Sequence, residues 1–294
     1  MKNILLYGQT VKLTDTGIIK ALLQKLEDSP LDYYIFDGYK LSLNEASIEY
    51  KDRSAINTKD DLETNAIDLI ITLGGDGTIL KATNLVQDLD IPIMGINMGR
   101  LGFLANIEKS KILSAVDTII AGDFFTEERS MLSLQSNLPL FEDMPFALND
   151  FTIHKRDTSS MITITVMVDD KYLNSYWADG LIFSTPTGST GYSLSCGGPI
   201  ISPDSGNIVI TPIAPHNLNV RPIVISNDAE ISIRVEGRSE YFLCTMDSRY
   251  ETITAEHKIT LTKCPFRTKL AHLNGTDFMQ TIREKMLWGL DKRN

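Results

Sequence analysis

The sequence predicts an α/β unit built on a parallel sheet, interrupted by an antiparallel all-β unit of two packed sheets. Three observations carry this reading. Strand-like and helix-like stretches alternate up to about Gly122, strict apolar–polar alternation takes over beyond it, and a helical stripe returns at the C-terminus. The boundaries expected are residues 1–125 with 276–294 for the α/β unit and 126–275 for the β unit.

Taken in order, Lys2–Tyr7 reads as a first strand, Thr14–Leu26 as a helix and Tyr33–Phe36 as a second strand. Residues Leu41–Leu62 are polar and carry no clear period. Asp68–Thr72 is a strand followed at once by Leu73-Gly74-Gly75-Asp76-Gly77-Thr78, and Ile79, Leu80, Ala82, Leu85 and Val86 continue at helical spacing. Ile91–Met94 is a short strand and Glu108–Ile120 a helix. In such an alternation ligands gather at the carboxyl ends of the strands. Two segments lie at such ends, the Gly74–Thr78 turn and Gly95–Leu104.

In the second half, Met161–Val168, Ile231–Val235, Tyr241–Thr245 and Lys258–Thr262 read as strands. Turns are expected at Asp169-Asp170, Ser226–Asp228 and Glu236–Arg238. Phe278, Ile282, Met286 and Leu290 form the stripe of a terminal helix over Asp277–Leu290, expected to return to the α/β unit.

The bulk properties narrow the function. A chain of 294 residues is comfortable for two domains, and 43% apolar composition is that of an ordinary soluble protein. No apolar run is long enough to span a bilayer, and the N-terminus is too short in apolar residues for a signal peptide. Cys196, Cys244 and Cys264 are widely spaced and odd in number, which fits a cytoplasmic protein and argues against a zinc or disulfide framework. A net charge of −10 argues against nucleic acid and membrane surfaces as partners. An anionic substrate must then be met by local basic groups, backbone N–H groups or a metal ion.

Strand, glycine turn and helix form a geometry that presents backbone N–H groups and a helix N-terminus to phosphate. Asp76 is the unusual element, because an acid in a phosphate cradle repels its ligand. Either it takes a proton from a hydroxyl about to attack phosphorus, or helps hold a divalent cation, or it caps the following helix. A second motif runs from Asp179-Gly180 through the strand Leu181–Ser184 to Pro199. Its Gly, Ser and Thr residues, with Tyr192 among them, offer many donors to a nucleotide, or else form a Ser/Thr-rich surface loop. Asn149-Asp150 sets an amide beside an acid, a ligand pair or an Asx turn. Pro212–Pro222 holds His216 and Arg221 in a proline-stiffened stretch, with His216 open to a site or a structural role. His154, His257 and His272 have no neighbours in sequence that suggest chemistry and read as structural.

Together these segments resemble the NAD kinase family. The resemblance covers Gly74–Thr78, Asn97 with Leu101–Leu104, Asn149-Asp150, Asp179–Pro199 and Pro215-His216 with Arg221-Pro222, in the family's order from about residue 70 to 250. The glycine loop alone is shared with diacylglycerol-type lipid kinases and, in related form, phosphofructokinases; the Asp179–Pro199 run separates the family from both. The resemblance implies transfer of phosphate from ATP or polyphosphate to the 2′-hydroxyl of the NAD adenosine ribose, giving NADP. It implies Mg²⁺ or another divalent cation, a Rossmann-like N-terminal domain, an inserted antiparallel β-sandwich domain carrying most of the NAD site, and a homodimer or homotetramer. A lipid kinase and a non-catalytic dinucleotide-binding regulator are the rival classes.

The roles the resemblance implies are these. Asp76 is the general base, Gly74, Gly75, Gly77 and Thr78 form the phosphate loop, and Lys81 meets a phosphate from one turn into the helix. Asn149 and Asp150 hold the adenosine, Phe103 faces the adenine, and Thr190, Gly191, Tyr192, Ser193, Leu194 and Ser195 wrap the nucleotide. Asp179 faces the nicotinamide side, and Ala214 and His216 line the pocket. Trp177 and Arg249 join the NAD-binding set at positions where the family often carries a basic residue and a neutral amide. No protein-built metal site is expected. The Asn149-Asp150 pair is one methylene shorter than the family's usual Asn-Glu, and Gly191 stands where many members have Ala.

Overall fold

In the computed structural model, which describes residues 1–156 and 160–288, the chain divides into two compact units. The first comprises Met1–Glu128 with the residues from Thr268 onward, and the second Arg129–Arg267.

The first unit is built on a seven-stranded sheet. Its order is Asp32–Ile35, Asn3–Gly8, Leu69–Gly74, Ile93–Asn97, Thr268–Leu273 and Phe124–Arg129, with Ile107–Glu108 also paired to Ile93–Asn97. Asn3–Gly8 runs parallel to both of its neighbours, with Leu5 opposite Tyr34 on one side and Ile70 on the other. Ile4, Leu5, Leu6, Leu69, Ile70 and Ile71 are fully buried, the continuous apolar burial expected of parallel strands covered on both faces. The strand order reverses at Asn3–Gly8, so the carboxyl ends of Asn3–Gly8 and Leu69–Gly74 flank the crevice where such sheets bind ligands.

The helices follow their stripes. Thr16–Glu27 buries Ile19, Leu22, Leu23 and Leu26 at i, i+3, i+4 and i+7. Ile112–Ala121 ends at Gly122, whose φ of 69° is the left-handed conformation that terminates helices. The polar segment without clear period contains two helices, Asp37–Glu45 and Lys59–Thr64. The second starts with a capping box: Thr58 accepts from the Asp61 N–H while the Asp61 carboxylate accepts from the Thr58 N–H. Local capping, rather than a hydrophobic stripe, starts it.

Two expectations at the C-terminus are corrected. Thr268–Leu273, not assigned from sequence, pairs with Ile93–Asn97 in the parallel sheet, so the chain re-enters the first unit before residue 276. The terminal helix spans Phe278–Met286, capped by Asp277, and stops at Leu287, whose φ is 57°. Ile282 is buried, Phe278 and Met286 are only partly covered, and the expected Leu290 lies outside the described residues.

The second unit is two six-stranded sheets whose paired strands run antiparallel. One has the order Lys171–Ala178, Ile162–Val168, Ile231–Gly237, Ile259–Lys263, Leu132–Ser136, Phe146–Ala147. The other runs Ile223–Ser226, Asn207–Ile213, Gly180–Ser184, Asp150–Lys155, Phe242–Met246, Arg249–Ile253. Ile162, Ile164, Val166 and Ile233 from the first share a core with Phe151, Ile153, Phe183 and Phe242 from the second. Asp169 and Asp170 both take positive φ (49° and 60°), the pattern of a tight two-residue hairpin, at one of the expected turns. The turn expected at Glu236–Arg238 comes later, because Ile231–Gly237 stays paired through Gly237.

Candidate functional site

In the first unit the glycine turn sits at the carboxyl end of Leu69–Gly74, and Gly75 is the N-cap of the helix Asp76–Val86. Gly74 has no room for a side chain: a Cβ there would lie 2.1 Å from Thr78 Oγ1. Gly75 and Gly77 face open space, where a ligand can approach the backbone.

Asp76 is the first residue of the helix but does not cap it. Its carboxylate reaches across to the next loop and accepts three consecutive N–H groups. Phe103 donates to Oδ2 at 2.9 Å, and Leu104 and Ala105 donate to Oδ1 at 3.1 and 2.9 Å. The helix-cap alternative is therefore set aside. Three charge-assisted bonds fix the carboxylate in one orientation, and Oδ2 retains the more open lone pair. On the far side of the same loop, Lys285 of the terminal helix donates to the Leu101 carbonyl and lies 5.5 Å over the Phe103 ring. Lys81 is exposed one turn into the helix.

Beside the turn is a cavity of about 260 Å³ lined by Gly74, Gly75, Thr78, Asn97, Lys12 and Arg100, among others. Asn97 shapes its wall by accepting the Gly99 N–H at 2.6 Å. Lys12 and Arg100 are exposed and form no ion pair among the described residues. Sequence reasoning missed both. The available signal was position, since each follows the carboxyl end of a parallel strand.

In the second unit the Asn149-Asp150 pair is held by residues from two other strand ends. Asp247 Oδ2 accepts the Leu148 N–H at 2.9 Å, and Oδ1 accepts those of Asn149 and Asp150 at 2.8 and 3.2 Å. The Asn149 side chain is left over: its Oδ1 is buried with no hydrogen-bond partner. A buried unpaired acceptor is costly unless a ligand donates to it. Asp150 is buried and accepts from Thr152 Oγ1 at 3.2 Å. Burial, and next the neighbouring Asp247, push its carboxyl up to about 7.

Gly191 and Tyr192 lie near this pair, and the structure places the other predicted residues of the unit as follows. A Cβ on Gly191 would lie 3.9 Å from the Asn149 Nδ2. Tyr192 is 41% exposed, and its ring stacks on His154 at 5.6 Å and 20°. His154, read from sequence as structural, thus backs the one aromatic of the Gly/Ser/Thr-rich run that follows the strand Gly180–Ser184, and burial lowers its pKa. Asp179 is paired to Lys155 at 2.6 Å. Trp177 and His216 pack ring to ring at 4.4 Å, and the His216 N–H donates to the Trp177 carbonyl. Ala214, exposed and at φ 43°, starts the segment that carries His216. Leu194 is partly covered and Ser195 exposed.

Other residues of the set point elsewhere. Arg249 donates to the carbonyls of Met144 and Phe146, and its guanidinium lies over the rings of Phe141 and Phe146. Its fork is occupied by protein, which corrects its assignment to the nucleotide. Ser193 is fully buried and bonds Thr211 Oγ1 at 2.7 Å, so its hydroxyl does not wrap a ligand. Thr190 donates to the Thr187 carbonyl and Ser189 to that of Pro186. In tight turns hydroxyls bond nearby carbonyls first, so a count of Ser and Thr overstates the donors offered outward.

A carboxylate locked beside a glycine turn at parallel strand ends, with unpaired cations nearby, suits a phosphotransferase acting on a hydroxyl. Comparison with known proteins sharpens this. Residues 22–124 match the ATP-NAD kinase N-terminal domain model and residues 148–273 the ATP-NAD kinase C-terminal domain model. The chain is 46% identical to the NAD kinase of Christiangramia forsetii, over 98% of this chain and 99% of that protein. It is 42% identical to the NAD kinase of Flavobacterium johnsoniae, over 99% and 100%. Its fold is similar to that of yeast NADH kinase complexed with NADH, with a TM-score of 0.85 at 21% identity, covering 98% of this chain and 88% of the other. An NAD kinase from Archaeoglobus fulgidus in complex with ATP matches with a TM-score of 0.72 at 24% identity, over 97% of each chain. The chain belongs to the NAD kinase family.

Proposed function

We propose that the protein transfers the γ-phosphoryl group of ATP to the 2′-hydroxyl of the NAD adenosine ribose, giving NADP and ADP. The observation that carries the reading is the Asp76 carboxylate, held by three backbone N–H groups with a lone pair of Oδ2 still open. That oxygen takes the hydroxyl proton as the ribose oxygen attacks phosphorus, and the bond to the ADP oxygen breaks. Fixing the base before substrate arrives removes reorientation from the barrier.

The phosphates meet Gly75, Gly77, Lys81, Lys12 and Arg100. Asn149 Oδ1 and Asp150 face the ribose and adenine, Phe103 the adenine, and Tyr192 on its His154 backing forms an aromatic wall. Asp179, Trp177, Ala214 and His216 serve the nicotinamide side. Among the described residues no group of three or more His, Cys, Asp or Glu side chains could hold a metal ion. Mg²⁺ would arrive with the ATP phosphates, as that ion commonly does, and would neutralise charge there. Cys196, Cys244 and Cys264, the last two buried, suit a reducing cytoplasm, and assembly into dimers or tetramers is what the family relationship leads us to expect.

The test is incubation with ATP, Mg²⁺ and NAD, with NADP followed by an NADP-specific dehydrogenase. The 2′-deoxy analogue of NAD should bind but accept no phosphate. Its phosphorylation would overturn the regiochemistry, and absence of NADP from NAD itself would leave the regulator reading.

A further inference from the structure

The segment Leu148–Asp150 has six backbone hydrogen-bonding groups, and two residues satisfy all of them. Asp247 takes the three N–H groups on its carboxylate and donates its own N–H to the Asp150 carbonyl at 3.0 Å. Thr185 donates its hydroxyl to the Leu148 carbonyl at 2.6 Å and its N–H to the Asn149 carbonyl at 2.9 Å. No slack remains in the backbone, while the buried side-chain Oδ1 of Asn149 has no hydrogen-bond partner. Space is equally constrained, since a Cβ on Gly188 would lie 2.2 Å from the Asn149 carbonyl oxygen.

Asp247 sits at the tip of the hairpin joining Phe242–Met246 to Arg249–Ile253, at φ 53°. Asp tolerates that left-handed conformation better than most side chains. Two residues on, Arg249 grips the carbonyls of Met144 and Phe146 just upstream of the same segment. The hairpin tip therefore holds residues 144–150 with an acid on the N–H groups and a base on the carbonyls. Burial pushes the Asp247 carboxyl upward, while its three N–H bonds and Arg249 favour the charged form that accepts them.

We propose that Asp247, supported by Arg249, is a positioning residue for the acceptor nucleotide, holding the Leu148–Asp150 backbone so that the Asn149 amide meets the ligand already oriented. This rests on the reading of Asn149 as an acceptor-binding group given under Proposed function.

Asp247→Asn is the informative variant because Asn keeps the left-handed backbone and an oxygen for Asn149 and Asp150. Its NH₂ then faces the Leu148 N–H, donor against donor. We expect hydrogen exchange at residues 148–150 to quicken and KM for NAD to rise about tenfold, the worth of one hydrogen bond, with kcat and KM for ATP nearly unchanged. Arg249→Met, which keeps the apolar stem over Phe141 and Phe146, should raise KM for NAD in the same direction, and Arg249→Lys should recover part of it. Unchanged exchange, faster exchange with an unchanged KM for NAD, or a parallel loss in kcat and both KM values would each overturn the proposal. If the wild-type protein makes no NADP, the proposed activity fails on that ground alone. The exchange measurement and calorimetric binding of NAD then still decide the role of Asp247.

Discussion

Gly102 lies so close to Asp76 that a Cβ on it would sit 1.8 Å from the carboxylate Oδ1. The glycine lets the loop close down on the acid and deliver the N–H groups of the three residues that follow it. Gly102→Ala must push Asp76 or the loop away, an overpacking cost of about 1–3 kcal/mol. It should lower Tm and reduce kcat together. A variant with wild-type Tm and turnover would show that the three N–H bonds do not set the position of the acid.

Asp76→Asn tests the base, and the structure changes what the substitution does. With its one oxygen turned to Leu104 and Ala105, the Asn NH₂ confronts the Phe103 N–H and leaves that donor unsatisfied, at about 1–3 kcal/mol. Tm should therefore fall modestly, while kcat should fall by roughly 10²–10⁴-fold and NAD binding persist. Turnover assays run well below the variant's measured Tm separate the two effects. Near-normal kcat there would remove Asp76 as the base.

Asp150 makes stability depend on pH in a direction opposite to most carboxylates. Its folded pKa, about 7, lies above the value in an unfolded chain, so the folded state holds a proton that the unfolded chain gives up. The stability tied to that proton is complete below the ordinary carboxylate range and is lost as pH rises through 7. Asp150→Asn keeps the acceptor for Thr152 and removes the titration. Its stability relative to wild type should climb by about 1.4 kcal/mol per pH unit between pH 5 and 7 and then level off. Parallel denaturation curves across that range would show that Asp150 is charged throughout.

Ile282 is the one fully packed apolar side chain of the terminal helix, and Lys285 on the same helix holds the loop that meets Asp76. Ile282→Ala should cost about 2–4 kcal/mol and loosen residues 101–105, read as faster amide exchange there. Exchange in that loop unchanged at full loss of helix protection would show the two are uncoupled.

The sequence by itself determined the class of the fold, the glycine turn and the family, because these rest on local signals. Continuous apolar strands, helical stripes and strict alternation each follow from a period read within a dozen residues. Glycines bracketing an acid need no long-range information to be noticed. Only the tertiary structure decided what each polar side chain does. Asp76 kept a helix-cap reading open until residues 103–105 proved to donate to it from 27 to 29 positions away. Arg249 and Ser193 read as ligand contacts but bond protein groups 103–105 and 18 positions distant. Asp247, seen in sequence only as part of a short match, proved to organise residues nearly a hundred positions earlier. Thr268–Leu273 joined the parallel sheet only because Ile93–Asn97 offered it an edge. A hydrogen bond's partner is chosen by what folding brings within about 3 Å, and that choice is not written in the spacing of residues along the chain.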